Sequence, residues 1–332
     1  MHQPEPVYAG YLLVYFAGNR TADDERIRMA LSCGNDPLHY RELNAGRPVL
    51  TSSLGTKGVR DPFVIRSPEG DRFHLIATDL RTSGSNADPV QLTWDRAQRA
   101  GSKSIVVWDS TDLVNWTGQR LVKVSHDNAG NTWAPKACHA EELGKYVVFW
   151  ASKLYAQDDP DHTGTTYNRM LYATTTDFHT FSEPRVWHDP GHAVIDSAVI
   201  KHSGVYYRYT KDERDPTPSV PSAKLITAEK SRELTSNSYD FVADRIGEGE
   251  IDRGEGPAVF KSNTEEKWYM FIDEFGGRNY VPFETTDLDS GKWIPSKSCQ
   301  LPPEAKHGSV LPLTQAEYDR LLIRRSQSQQ AP

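Results

Sequence analysis

The sequence predicts an all-β fold, a single five-bladed β-propeller, on three observations. A unit of strand, turn and strand, with a third strand behind it, recurs four times. Segments with helical periodicity are few. The two ends of the chain each hold the part of a fifth unit that the other lacks. Short β units in tandem, separated by turn residues, are the pattern of a propeller in which each unit makes one blade.

The first unit opens with GVRDPFVIRSPEGDRFHLIATD (58–79), two strands joined at Ser67-Pro68-Glu69-Gly70-Asp71. The pattern returns as WAPKACHAEELGKYVVFWAS from Trp133, IDSAVIKHSGVYYRYTKDE from Ile195 and GEGPAVFKSNTEEKWYMFIDE from Gly254. A third strand and a polar turn follow each pair, as in SIVVWDSTDLVNW and RMLYATTTDFHTF. With Asp61, Ala134, Asp196 and Glu255 taken as equivalent, the intervals are 73, 62 and 59 residues. Propeller repeats usually run to roughly 40–50 residues, so these leave room for loops at the rim. The insertion at 81–103 is the longest of them and a candidate wall for a pocket.

The ends set the blade count. KHGSVLPL (306–313) reads as a lead strand followed by a helix-like tail, LTQAEYDRLL. The N-terminus supplies a second strand, GYLLVYFAG, and a third, IRMALSCGNDPLHYREL, with no lead strand before them. A fifth blade built from both ends closes the ring and pairs edges that would otherwise stay open. The expectation is one domain over 1–332, with a polar, disordered tail from about 324.

Composition excludes several classes of function. A net charge of -7 with no polybasic run is not a nucleic-acid footprint. No apolar stretch approaches the length of a membrane span. The start has no basic n-region and only a short apolar run, so no signal peptide is read; the expected location is the cytoplasm, or the exterior for a chain given in mature form. Cys33, Cys138 and Cys299 lie far apart without metal-site spacing, and their odd number cannot be fully paired, so free, buried thiols are expected. Nothing points to a partner chain, and a monomer is expected.

In a propeller the lead strands line the central channel, so residues at their starts converge. Those positions carry Asp61, the segment Ala134–Lys136, Asp196, Glu255 and His307. Carboxylates crowded into a poorly hydrated space cannot all ionise cheaply, which turns one into a proton donor while another stays a base. Glycoside hydrolysis needs that division: an acid for the leaving oxygen and a carboxylate that activates water or attacks the sugar. Each residue also has a structural reading. Asp61 before Pro62 can form a turn or pair with Arg60, Asp196 and Glu255 can tie strand ends, and His307 can be a core histidine. The matched placement on three lead strands favours catalysis.

VRDPF (59–63), WAP (133–135), IDSAVIK (195–201), GEGPAVFK (254–261) and HGSV (307–310), in this order over nearly the whole chain, resemble glycoside hydrolase family 43. That resemblance implies a five-bladed propeller hydrolysing with inversion, typically an arabinofuranosidase, xylosidase or arabinanase. It implies Asp61 as general base, Asp196 as the residue that tunes and orients the acid, and Glu255 as general acid. It places His307 beside a central calcium ion or ordered water, and implies no organic cofactor. The sequence departs from the pattern at Lys136, where relatives commonly carry an acid. That cation can lower the pKa of neighbouring carboxylates, pair with Asp61 or Asp196, contact a substrate hydroxyl, or simply pack its stem and reach water.

Trp133, as a stacking ring, and Arg278 in FGGRNY are the expected sugar contacts, with Lys136 beside them; Tyr15, Trp150 and Tyr207 read as core. The favoured function is an exo-acting α-L-arabinofuranosidase on arabinose-containing oligo- or polysaccharides. A β-xylosidase, an exo-galactanase and a non-catalytic carbohydrate-binding propeller are the alternatives.

Overall fold

The structure is a computed structural model that describes residues 6–83 and 91–330, with side chains through residue 323. It contains five four-stranded antiparallel sheets. The first four blades start at the lead strands Val59–Arg66, Trp133–Ala140, Val194–His202 and Glu255–Lys261. The fifth combines the C-terminal strand Lys306–Thr314 with the N-terminal strands Tyr8–Phe16, Arg28–Cys33 and Asp36–Glu42. Leu13 faces Val310 and Leu12 faces Leu311 in this closing pair, which makes the five-bladed ring that the two half-units predict.

Second strands are buried on both faces because each blade packs against neighbours on either side. Tyr11 to Phe16, Val147 to Ala151 and Met270 to Ile272 are essentially without exposure, so these strands read as continuous apolar runs. Tyr15, Trp150 and Tyr207 are core residues, as their positions suggest.

Each blade has one strand more than the three-strand unit read from the sequence. The outer strands Arg120–Lys123, Arg185–His188, Asp240–Ile246 and Ile294–Pro295 are short and mostly polar or exposed. IRMALSCGNDPLHYREL, read as one strand, is a hairpin turning at Gly34, which is left-handed (φ 61°). Short polar outer strands suit an edge that faces water.

The thiols are free, but Cys33 and Cys299 are exposed rather than buried. They fall at a strand end and in a loop, where no sheet covers them. A C-terminal helix, Gln315–Gln330, follows the closing strand and continues past the position where a disordered tail is expected to begin. It is fastened to the ring by Glu317, paired with Arg66 at 2.6 Å, and by Tyr318, whose hydroxyl donates to the Ser32 carbonyl and accepts from Gly34 N–H.

Ring closure leaves no space at Gly308. A Cβ there would overlap the Val14 carbonyl of the adjoining strand. Gly308→Ala is therefore expected to lower stability by about 1–3 kcal/mol, the usual cost of an overpacked position. Thermal melts of the two proteins check this, and an unchanged midpoint would contradict the closure described.

Candidate active site

Every lead strand carries a bulge near its inner end, and one residue of each bulge is left-handed. These are Asp61 (φ 51°), Ala134 (φ 50°), Asp196 (φ 57°), Gly256 (φ 54°) and His307 (φ 39°). Left-handed backbone costs a non-glycine residue of order 1 kcal/mol or more and persists only where surrounding structure enforces it. These five are the equivalent positions of the repeat. Glu255 stands one residue earlier, at the place of Arg60, Trp133, Ile195 and Lys306, so its alignment with Asp61 and Asp196 is corrected by one. The reason lies at Gly256: a Cβ there would sit 2.6 Å from Cγ of His307. The fourth blade keeps its bulge position bare to admit the imidazole, and reaches the axis with the preceding side chain.

The imidazole of His307 occupies the centre of the ring. Its Nδ1 lies 3.1 Å from Asp61 and 3.8 Å from Asp196, and its Nε2 lies 2.8 Å from Glu255 and 3.2 Å from the buried Asp273. Phe16 meets the ring edge to face. Neighbouring blades are tied together at the same level. Thr78 Oγ1 donates to Asp61 Oδ2 at 2.7 Å and accepts from Ala134 N–H, while Asp196 Oδ2 accepts from Gly256 N–H at 3.0 Å. The Tyr280 hydroxyl sits between the Gly256 carbonyl and the Gly308 backbone.

Electrostatics divide the carboxylates. Burial alone would raise Asp61, but the hydrogen bond and charge of His307, helped by Arg60 and Thr78, hold it below the usual carboxylate range. Glu255 is likewise buried, yet the charges of His307 and Lys211 and their hydrogen bonds hold it well below that range. Asp196 goes the other way, to about 6, because burial and the Glu255 charge outweigh what His307 and Lys211 return. For His307, burial opposes the charge, but Glu255 and Asp196 win and the imidazole is held well above its ordinary value. The ring is thus an imidazolium among anions, and Asp196 is the catalytic carboxylate pushed towards holding a proton, which it does below about pH 6.

Asp61, Asp196, Glu255 and His307, expected together, line one cavity of about 300 Å³, with Trp133 on its wall. Lys136 does not reach it. Its side chain is buried beneath, donates to the Pro257 carbonyl, and is lowered to about 8 by burial against the pull of Asp196 and Asp61. It is a buried counter-charge that also joins blade two to blade four, which corrects its assignment as a sugar contact. Arg278 is corrected too. Half-exposed, it pairs with Glu274 at 2.7 Å and Glu250 at 2.8 Å and lies outside the lining.

Sequence reasoning missed other groups at or behind the cavity wall. The insertion at 81–103 forms a wall through a short helix, Trp94–Arg99, N-capped by Thr93; its residues 84–90 lie outside the described residues. Trp94 is 47% exposed, meets Trp133 edge to face at 6.1 Å, and faces the guanidinium of Arg60 at 5.1 Å. Lys211, 2.6 Å from Glu255 and 2.7 Å from Glu213, faces Ile195 across the sheet. That pairing of YTKDE with the IDSAV lead strand was the available signal.

Calcium, expected beside His307, can be tested against these donors. Ligand atoms of Asp196, Glu255 and His307 lie within 4.8 Å of one another. Calcium takes about six to eight oxygens, however, and here the centre is filled by an imidazole with both nitrogens facing carboxylates. An imidazole with a carboxylate against each nitrogen has none left to offer a cation. The arrangement fits a charged histidine in the cation's place.

An acid-lined cavity on a propeller axis, walled by indoles, has the form of a sugar-processing site. Residues 6–319 match the family described as a probable glycosyl hydrolase domain, related to glycosyl hydrolase family 43, and the chain belongs to that family. In an alignment 312 residues long that covers 85% of this chain, it is 38% identical to an alpha-L-arabinofuranosidase of Bifidobacterium longum subsp. longum. The chain spans 28% of that relative's length. Among solved structures it is similar to a mutant of the Bacillus licheniformis family-43 protein BlXynB, with a TM-score of 0.50, 20% identity, and coverage of 79% of this chain and 47% of that one. It is also similar to a thermostable family-43 glycoside hydrolase, with a TM-score of 0.48 and 19% identity, covering 75% and 76% of the two chains. The likeness to BlXynB shows the shared propeller fold.

The raised Asp196 has a consequence for stability. Folded, it keeps its proton up to about pH 6, against 3.8 for an ordinary aspartate, so the folded state binds more protons in between and stability falls as pH rises through that window. Asp196→Asn is expected to raise stability by about 1–3 kcal/mol at pH 8 and by little near pH 4. Denaturant melts at the two pH values check this; equal effects would contradict the assigned proton.

Proposed function

We propose that this chain is an inverting, exo-acting glycoside hydrolase that removes terminal α-L-arabinofuranosyl units from oligo- or polysaccharides. The observation that carries the reading is the convergence of Asp61, Asp196 and Glu255, from three blades, on one small cavity with Trp94 and Trp133 on its wall. Asp61, held ionised, is the general base for water. Glu255 faces the same cavity and protonates the leaving oxygen. Its proton comes from within the cluster, since His307 Nε2 lies 2.8 Å away and the neighbouring Asp196 holds one below about pH 6. Asp196 accepts from Gly256 N–H, so it holds the backbone beside Glu255 and orients the acid.

Two features support inversion and exo action. Asp61 and Glu255 stand at different nitrogens of one imidazole, so they approach it from different sides and not as an adjacent pair. An inverting pair stands roughly 6.5–9.5 Å apart to admit water, whereas a retaining pair stands at roughly 5–5.5 Å. The helix Trp94–Arg99 walls one side of the cavity, which favours a terminal sugar over a chain running through. The arabinofuranosyl unit is favoured by the resemblance to the bifidobacterial enzyme.

Glu255→Ala is expected to cut kcat/KM by about 10²–10⁴ on an arabino-oligosaccharide, and by far less on p-nitrophenyl arabinofuranoside, whose leaving group needs no proton. Near-normal rates on the oligosaccharide would overturn the role of Glu255. Binding of arabinose without turnover of either substrate by the unaltered protein would favour the non-catalytic reading.

A further inference from the structure

The axial cavity has a neighbour. Beyond the helix Trp94–Arg99 lies a second cavity, of about 320 Å³, bounded by Gln98 and Arg99 of that helix, by Lys153 and Tyr155, and by Thr165 and Thr166. Gln98 lines both cavities. The two also share a rigid base. Lys153 faces Asn168 across the sheet, and Asn168 lines the axial cavity. Asn131 locks the pair, accepting from Lys153 N–H at 2.8 Å and donating to Asn168 Oδ1 at 3.0 Å. The helix is anchored to the opposite loop, where His162 stacks on Tyr155 at 4.3 Å and meets the Arg99 carbonyl. A chain attached to a sugar in the axial cavity therefore has a preformed path past Gln98.

Charge gives this path a preference. Several nearby cations are matched: Arg99 pairs with Asp95 at 2.9 Å, Lys211 with Glu255 and Glu213, and Lys224 with Glu213, while Arg60 lies over the rings of Phe16 and Trp94. Lys153 has neither kind of match, since its ammonium has no hydrogen-bond, ion-pair or ring partner among the described residues. Burial and Arg99 push it below the ordinary lysine value, with Asp95 and Glu213 pulling back. A half-buried cation without a counter-ion is costly, and an anion of the ligand compensates it. A chain of neutral sugars would leave it unmatched.

We propose that the second cavity is the subsite for the chain from which the terminal sugar is cut, and that Lys153 binds the carboxylate of a uronic acid on that chain. This rests on the glycosidase reading. It adds the chemical class of the chain that bears the released sugar.

The test uses two oligosaccharides with the same terminal arabinofuranosyl unit, one on a neutral chain and one with a uronic acid beside the branch. The unaltered protein is expected to favour the acidic chain by about fivefold in kcat/KM, the effect of one partly exposed charge pair, and to lose that preference at high salt. Lys153→Met should bring the ratio to about one, and Lys153→Arg should keep it. A ratio near one in the unaltered protein, or one that survives Lys153→Met, overturns the proposal. Should neither chain be cleaved, the glycosidase reading fails, and the calorimetric Kd of the two chains decides this site separately. Tighter binding of the acidic chain upholds it, and equal binding overturns it.

Discussion

One imidazolium holds this molecule's centre together. Five blades each turn a lead strand inward through a left-handed bulge, and what they deliver would be self-repelling without a cation: Asp61, Asp196, Glu255 and the wholly buried Asp273 all stand within 3.8 Å of His307. Like charges in a poorly hydrated space do not stay ionised unpaired. His307 comes from the closing strand of the ring, so the N- and C-terminal pairing that completes the fifth blade also brings in the charge on which the site depends.

The surrounding cations complete that balance and divide the acids. Lys136 lies below Asp61 and Asp196, and Lys211 lies beside Glu255. Blade two thus supplies a buried ammonium where the other lead strands bring an acid or a histidine to the axis. The division differs from the one crowding alone suggests. Glu255, the proposed acid, is held well below the usual carboxylate range, whereas Asp196 is the one raised towards holding a proton. In the proposed reaction the cluster therefore acts as one titrating unit, and substrate entry must shift a proton toward Glu255.

Much of this was legible in the sequence because repetition is legible. Four copies of a strand pair and two complementary half-units fixed the ring, and the starts of lead strands fixed Asp61, Asp196, Glu255 and His307 as neighbours. What escaped had no periodic signal. Outer strands such as Asp240–Ile246 face water on a sheet edge and carry no apolar alternation. The one-residue offset of Glu255 arises because Gly256 yields its space to His307, a contact 51 residues away in the chain between positions 256 and 307. Arg278 looked available because its partners Glu250 and Glu274 are distant or unremarkable in sequence. Trp94 lay in an insertion outside the repeat, where only three-dimensional placement beside Trp133 reveals its use.

The proposed chemistry depends on where the protons are. Neutron diffraction from deuterated crystals near pH 5.5 would show them directly at the axis. The expected map has deuterium on both nitrogens of His307 and on a carboxylate oxygen of Asp196, and none on Asp61 or Glu255. A neutral His307 with the proton on Glu255 would contradict the charge balance from which the proposed chemistry is built.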